Sequence, residues 1–174
     1  MTCQIKVLPA FQGDCIFLRF KGLDGFHNIL IDGGIKATYQ LALKKELQRI
    51  REVGECLDLL IITHVDDDHI GGILSLFEDD TINKDLIKRV LFNSGTVLSE
   101  FFGSSIDKNR ELGLVTSSEE NLSFNQANTL ENHLKCLEIS NHVPIKFNDI
   151  IRINGANLHI LTPNLESLEE LNSK

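Results

Sequence analysis

The sequence predicts an α/β fold, and three observations carry this prediction. Apolar runs of strand length, such as residues 59–62, alternate with longer stretches of helical periodicity. Asp-Gly and Asn-Gly pairs separate other apolar runs in the manner of β-hairpins. The 174 residues, 42% of them hydrophobic and 24% charged, suffice for one domain with a sizeable core. We therefore expect a single domain over residues 1–174.

The first third of the chain predicts three strands and a helix. Residues 4–8 form the first predicted strand, which Pro9 ends. Residues 15–20 and 26–31 form the next two, joined by an Asp-Gly turn as a hairpin. Residues 39–53 have one apolar helical face before Gly54. That face is made by Tyr39, Leu43, Leu47 and Ile50.

A cluster of histidines and aspartates directly follows the apolar run at residues 59–62. It consists of His64, Asp66, Asp67, Asp68 and His69. Three adjacent carboxylates repel one another where solvent is partly excluded, and a divalent cation would remove that cost. Imidazole and carboxylate are ligands that suit zinc, manganese or iron. The alternative interpretation is a solvated acidic loop with two unrelated histidines.

The context of the cluster favours metal binding over the solvated loop. The preceding run predicts a strand buried on both faces, and a helical pattern with Gly71-Gly72 follows. The glycines allow this helix to pack close to the strand end. His64 and Asp66 are two residues apart, so an extended backbone points them the same way. Asp68 and His69 follow at the turn, where they can face a second ion.

The middle of the chain has a weaker pattern. Residues 88–93 predict another strand, and residues 94–121 predict a long loop or broken helices rich in Gly and Ser. Such a loop could cover the metal site and select the substrate. Ser123 and Gln126 match a capping box, which predicts the start of a helix that continues to about Glu138.

The last part of the chain predicts a hairpin and a short helix. Residues 149–153 and 156–161 flank Asn154-Gly155, which predicts a type I′ turn. After Thr162-Pro163, apolar residues at helical spacing predict the last helix. They are Leu165, Leu168 and Leu171.

Charge and cysteine content exclude some functions. The net charge of −8 argues against a large basic nucleic-acid footprint, although a metal site can hold phosphate locally. The four cysteines, Cys3, Cys15, Cys56 and Cys136, are scattered without a CxxC pair. We therefore expect reduced thiols in a cytoplasmic protein. No stretch has the pattern of a signal peptide or a membrane span, so no membrane partner is expected.

Residues 63–72, THVDDDHIGG, resemble the HxHxDH signature of the metallo-β-lactamase superfamily, with Asp66 at the second histidine position. This HxDxDH variant is similar to the ComEC-type branch of competence proteins. The QGD at residues 12–14 and the LIDGG at residues 30–34 resemble two further motifs of the family in the same order. The resemblance implies an α/β fold that forms the N-terminal half of an αββα sandwich.

The resemblance also implies a set of site residues. His64 and Asp66 would ligate one ion and Asp68 and His69 a second, with two zinc or manganese ions about 3.5–4 Å apart in the complete fold. Asp68 would also be catalytic, since it would take the proton as the leaving group departs. The loops of Asp14 and Asp32 would lie near the metal rim and support the ligands. Taken without the resemblance, both aspartates are equally typical of structural turns.

The implied function is that of a metal-dependent hydrolase, with a phosphodiester or nucleic-acid substrate by analogy. The family's later GD motif and late histidine have no counterpart here, so we expect a truncated domain, inactive alone and without its second half. Apolar strands such as residues 59–62 would then lie near an open edge. The alternative is a non-catalytic interaction module, or one part of a split enzyme. A homodimer or a partner chain would complete the fold.

Overall fold

A computed structural model describes residues 2–82, 84–103 and 118–173, and it contains a mixed five-stranded sheet in the order β1-β2-β3-β4-β5. The strands are β1 (Cys3–Val7), β2 (Ile16–Lys21), β3 (Phe26–Ile31), β4 (Leu59–Ile61) and β5 (Val90–Leu91). The first three strands are antiparallel neighbours, whereas β3, β4 and β5 run parallel. The carboxyl ends of the three parallel strands lie at the same end of the sheet, which is where α/β proteins bind ligands.

Helices follow the parallel strands. The chain after β3 begins with α1 (Lys36–Thr38), passes through a π-helical turn (Tyr39–Leu43) and continues as α2 (Lys44–Glu52). The later helical elements are α3 (Asp67–Glu78), a 3₁₀ turn (Lys84–Leu86), α4 (Gly95–Phe102), α5 (Ser118–Leu137) and α6 (Leu165–Ser173). A separate hairpin consists of β6 (Ile150–Ile153) and β7 (Ala156–His159). None of the helices in the described ranges has both the length and the hydropathy to cross a membrane.

The sheet buries apolar side chains on both faces. Leu60 packs in the larger core, together with residues of the helices such as Leu47 and Ile73. Leu59, the neighbour of Leu60, points to the opposite face, where it packs with Ile151 of the β6–β7 hairpin. This confirms the predicted burial of residues 59–62 on both faces, and it confirms the predicted α/β fold. One layer of helices on a sheet is the arrangement expected for one half of an αββα sandwich.

Two expectations about the elements were wrong, and for a third the structure selects between two alternatives. Strand β4 is not near an open edge, because it pairs with β3 on one side and β5 on the other. For residues 94–121, expected as a long loop or broken helices, the described part contains helix: α4 begins after Ser94, whose hydroxyl accepts from the Val97 amide. The helix that was expected to begin at Ser123 begins earlier, since α5 starts at Ser118. The rest of the expected loop, residues 104–117, lies outside the described residues.

The hairpin near the chain's end was predicted at the correct place but with the wrong turn. Strands β6 and β7 pair antiparallel around Asn154 and Gly155. Of these two residues only Gly155 has a positive φ, at 94°. A type I′ turn requires positive φ at both central residues, whereas type II requires it only at the second. The Asn-Gly pair therefore predicted the hairpin but did not determine the turn type.

Candidate metal centre

The candidate metal centre lies at the carboxyl ends of β3 and β4. Asp32 directly follows β3, and residues 63–69 follow β4 before and within the first turn of α3. Asp32 has a positive φ of 54°, a conformation that aspartate tolerates better than most residues. Its amide donates to the Ile61 carbonyl at 2.9 Å, so the two strand ends are joined at this point. The parallel pairing thus brings the LIDGG segment beside the histidine and aspartate cluster.

The Asp32 carboxylate is buried and is satisfied by three hydrogen bonds. Its side chain is only 1% exposed. It accepts from the Thr63 amide at 2.8 Å, from the Thr63 hydroxyl at 2.5 Å and from His69 Nδ1 at 3.0 Å. These bonds offset the cost of burying a carboxylate. Because the His69 proton is then on Nδ1, the lone pair on Nε2 is free to bind a cation.

Thr63 orients the imidazole of His64 in the same way. The Thr63 hydroxyl donates its only hydrogen to Asp32, so it acts as an acceptor towards His64 Nδ1, which lies 2.9 Å away. The Nδ1 proton of His64 is thereby fixed, and Nε2 is left with its lone pair. Sequence reasoning missed Thr63. A hydroxyl residue directly before the first histidine of the cluster was the signal available.

Within the part of the chain that the structure describes, two groups of three side chains have ligand atoms within 4.8 Å of one another. One group is Asp32, His64 and His69, and the other is His64, Asp66 and Asp68. The predicted ligands His64, Asp66, Asp68 and His69 are therefore all in these groups. His64 Nε2 lies 3.7 Å from Asp66 Oδ2, and His69 Nε2 lies 3.9 Å from Asp68 Oδ2.

The donor set fits a divalent cation. The rings of His64 and His69 lie with centroids 3.7 Å apart, and both Nε2 atoms are close to a carboxylate oxygen. Nitrogen from imidazole and oxygen from carboxylate suit zinc, manganese and iron. Asp32 was expected only to support the ligands, and its contacts with Thr63 and His69 agree with that role.

Asp14 differs from Asp32, because the structure does not bring it into either group. Asp14 is exposed, and its backbone carbonyl accepts from the Gly34 amide at 2.8 Å. The loop itself lies at the site, since a Cβ atom on Gly13 would be 1.6 Å from the Asp68 carbonyl oxygen. The QGD loop thus lies at the site, as the resemblance implied, and it packs there through Gly13. The Asp14 side chain makes no contribution to the two ligand groups.

Paired glycines hold α3 against the end of β3. A Cβ atom on Gly72 would lie 2.0 Å from the Gly33 carbonyl oxygen. The Gly33 amide donates to the His69 carbonyl, and the Gly72 amide donates to the Gly34 carbonyl, both at 2.8 Å. A side chain at Gly72 would force the two backbones apart. The close packing predicted from Gly71-Gly72 is therefore found, but against the end of β3 and not against the end of the strand that precedes the helix.

Asp67 lies between two residues of one ligand group but belongs to neither group. Its Oδ1 atom accepts from Gln126 Nε2 of α5 at 2.6 Å. Sequence reasoning treated Asp66, Asp67 and Asp68 as one acidic run and expected Gln126 to cap a helix. The separation of 59 residues between the partners explains why no local pattern indicated this contact.

Cys15 is buried near Asp32 but belongs to neither ligand group of the described residues. Burial, together with the negative charge of Asp32, raises the pKa of the Cys15 thiol to about 12. The free thiol is therefore protonated at neutral pH, which makes it a poor nucleophile.

The fold and the site together define an α/β protein with candidate histidine and aspartate ligands at the carboxyl ends of two parallel strands. Residues 8–110 of the 174 match the model of the metallo-beta-lactamase superfamily. The chain belongs to this superfamily, whose members are generally hydrolytic and typically bind divalent metals. No curated protein gives a match.

Solved structures of similar proteins include three bacterial examples. A metallo-beta-lactamase of the HARLDQ motif from Cronobacter sakazakii is 15% identical, with 90% of this chain and 49% of that chain covered and a TM-score of 0.41. A metallo-beta-lactamase family protein from Thermus thermophilus is 16% identical, with 91% and 50% covered and a TM-score of 0.45. A third, from Thermotoga maritima, is 11% identical, with 87% and 63% covered and a TM-score of 0.42. The chain thus spans about half to two thirds of the length of these proteins.

Proposed function

We propose that the chain carries the metal-binding half of a metal-dependent hydrolase that acts on phosphodiesters, including those of nucleic acids. The observation that carries this proposal is the convergence of His64, Asp66 and Asp68 within 4.8 Å, beside a His69 that Asp32 orients. His64, Asp66, Asp68 and His69 would hold the metal, and zinc and manganese both suit these donors. Asp32 and Thr63 would keep the imidazole lone pairs directed at it.

When bound, a divalent cation supplies Lewis-acid activation of water and of the ester. The residues of the chain supply orientation and proton transfer. The Asp68 carboxylate is partly exposed, with 35% of its side chain accessible, so it can contact both solvent and substrate. We assign Asp68 the role of taking a proton from the attacking water and returning it to the leaving group. The Gly13 loop packed on the Asp68 backbone holds this carboxylate in place.

A phosphodiester is the substrate class that this donor set favours. Asp66 replaces a nitrogen ligand with an oxygen ligand, as in the ComEC-type competence branch that the motif resembles. Oxygen-rich sites suit the harder cations, such as manganese, that commonly bind phosphate esters. Because the net charge is −8, nucleic acid would have to be held mainly at the metal and not over a broad basic surface.

Metal content and hydrolysis together test the proposal. We expect the purified chain to retain zinc or manganese after dialysis, and His64→Ala and Asp68→Ala to retain at least about tenfold less at limiting metal. Asp80→Ala, at an exposed aspartate outside both groups, is the matched control. Equal metal content in all of these proteins would exclude the site.

Hydrolysis of bis-p-nitrophenyl phosphate and single-stranded DNA is then measured with added metal, for the chain and for any longer natural form of the protein. Metal-dependent activity that Asp68→Ala abolishes in either form would support the proposal. The absence of ester hydrolysis in both forms would refute it.

A second candidate function is that of a non-catalytic interaction module or one part of a split enzyme. The observation that favours it is the apolar side chains that β1 leaves exposed, Ile5 at 63% and Val7 at 75%. Exposed apolar residues on an edge strand are typical of surfaces that bind another chain. On this alternative the metal centre would be completed or replaced by contacts with a second copy or with a partner chain.

A further inference from the structure

We infer that Gln126 is a positioning residue that selects which aspartates face the metal. It holds Asp67 out of the ligand groups and thereby leaves Asp66 and Asp68 as the carboxylates of the site. This inference rests on the proposed metal-dependent function, and it adds to that function a contact from a distant helix.

The three aspartates are adjacent in sequence but have different contacts. Asp66 is the N-cap residue of α3, and Asp67 and Asp68 are its first two residues. Asp66 and Asp68 both have an oxygen within 4.8 Å of the other ligand atoms of their group, whereas Asp67 does not belong to it. Asp67 Oδ1 would instead lie 3.2 Å from a Cβ atom on Gly71. The Asp67 carboxylate is therefore directed along its own helix, towards Gly71.

Gln126 provides the bond that keeps the carboxylate there. Its Nε2 donates to Asp67 Oδ1 at 2.6 Å. The Oε1 atom of the same amide is buried and has no hydrogen-bond partner within the described residues. A buried acceptor without a partner is unfavourable, so the contact with Asp67 accounts for this orientation of the amide. The reverse orientation would place the amide oxygen against a carboxylate oxygen.

Helix α5 is placed firmly enough to hold Gln126 in this position. Seven residues after Gln126, the ring of His133 stacks on Phe77 of α3, with centroids 5.4 Å apart and planes 11° from parallel. The two contacts fix α5 along α3 at two separated points. The position of Gln126 relative to the first turn of α3 is thus determined by helix packing, not only by its own hydrogen bond.

Loss of the donor would change the chemistry at the cation. Asp67 is exposed, so without Gln126 its carboxylate can rotate freely. A divalent cation attracts a nearby free carboxylate strongly, because two opposite charges at short range gain more than a hydrogen bond to an amide provides. Asp67 would then compete with Asp66 or Asp68 for the ion, and the geometry of the site would change.

A double-mutant cycle on metal binding tests this inference. Manganese affinity of the full chain is measured for wild type, Asp67→Asn, Gln126→Leu and the double variant, with the electron paramagnetic resonance spectrum of bound manganese as a second readout. We expect Asp67→Asn to change the affinity less than about twofold in wild type and at least about fivefold in the Gln126→Leu background. The manganese spectrum should change in Gln126→Leu and return towards that of wild type in the double variant.

Further variants separate positioning from folding. Gln126→Met removes the donor with little change in volume, and it should behave like Gln126→Leu. Gln126→Lys retains a donor towards Asp67, and it should restore the wild-type insensitivity to Asp67→Asn. Gln48→Leu, at an exposed glutamine of α2, is the matched control and should leave the cycle unchanged.

Equal effects of Asp67→Asn in both backgrounds would overturn the inference, and so would a fivefold loss in the wild-type background. Failure of the wild-type chain to bind metal would instead refute the proposed metal site, and this inference with it.

Discussion

At the scale of single residues, the Asp32 carboxylate contacts two groups that each lead to a different imidazole. It accepts directly from His69, and it accepts from the Thr63 hydroxyl, which faces His64. One buried carboxylate thus determines the tautomer of both histidines. Residues that orient ligands in this way typically change metal affinity by 10–100-fold when they are removed.

Substitutions at Thr63 distinguish the effect of its hydroxyl on metal binding from that of its backbone amide. Thr63→Val keeps the shape of the side chain and the hydrogen bond from the backbone amide to Asp32, but it removes the acceptor for His64 Nδ1. We expect it to weaken zinc or manganese binding by about tenfold, and Thr63→Ser to stay within about twofold of wild type. Isothermal titration of each variant checks this, with circular dichroism to show that both are folded. Equal affinities for the valine and serine variants would contradict the orienting role of the hydroxyl.

The candidate ligands of the site could be predicted from the sequence, whereas the hydrogen-bond partners that orient them could not. His64, Asp66, Asp68 and His69 are close in sequence, so local spacing was enough to place them together. Thr63 and Gln126 act through partners 31 and 59 residues away, and no local pattern encodes such a pair. Asp14 and Asp32 look alike in sequence, since both sit between a strand and glycine. Only the parallel pairing of β3 with β4 distinguishes them, because it carries Asp32 to Thr63.

At the scale of elements, His27 and Asp24 connect the β2–β3 turn to two other segments, at the end of the sheet opposite the candidate metal centre. His27 Nε2 lies 2.8 Å from Asp24 Oδ1, and His27 Nδ1 lies 3.2 Å from Asp58 Oδ1. Asp24 also accepts from Asn154 Nδ2 in the β6–β7 turn at 2.6 Å. The other groups at His27 are Lys88, which bonds Asp58 at 2.9 Å, and the ring of Phe20. The imidazole thus holds together the β2–β3 turn and the segment before β4.

The pKa of His27 gives this connection a pH dependence. Burial acts to lower the pKa of His27, but the contacts with the Asp24 and Asp58 carboxylates more than offset it and raise the pKa above the ordinary value of about 6.5. The resulting stability is fully present below pH of about 6.5 and is lost as the pH rises through the higher folded-state pKa.

We expect wild type to exceed His27→Gln in unfolding free energy by on the order of 1 kcal/mol at pH 6, because the imidazolium bonds charged groups. The difference should shrink by pH 9. Urea unfolding across this range measures it, and His159→Gln, at an exposed histidine of β7, is the control. A difference that grows with pH would show that the imidazole is neutral in the folded protein.

The elements were predicted best where one local signal is sufficient. Residues 26–31 form β3 as predicted, and the last helix begins at the predicted Leu165. Helix α4 was left open between a loop and a broken helix because its eight residues are too few to show a clear period, although Ser94 and Gly103 supply both caps. The capping pattern at Ser123 failed because a serine followed by a glutamine also occurs inside helices.

At the scale of the whole molecule, the two faces of the sheet are covered unequally. One face is packed under the helices, with Phe17, Leu30 and Leu60 completely buried. On the other face the β6–β7 hairpin covers Phe20, Ile29 and Leu59. The end of this face nearest the metal centre is less covered, and its apolar side chains are exposed or half-buried. They are Ile5, Val7, Ile16, Leu18, Ile31 and Ile61.

Strand β1 makes this surface suitable for association. Its partner on one side is β2, and Ile5 and Val7 alternate with Lys6, which bonds Glu46 on the helical face. Ile5 and Val7 are therefore on the hairpin face, opposite Leu18 and Ile16. Burying apolar surface contributes about 25 cal/mol per Å², so covering these side chains favours association with a second copy or with a partner chain.

We accordingly expect the chain to self-associate as its concentration rises, and we expect Ile5→Lys with Val7→Lys to prevent this by placing two charges in the contact. Sedimentation velocity at several concentrations measures both proteins. Leu23→Lys is the matched control, because Leu23 is 89% exposed in the β2–β3 turn, outside this face. The control should associate as wild type does. A wild-type chain that stays monomeric at every concentration, or a control that is as monomeric as the double variant, would show that this end of the sheet is not a contact surface.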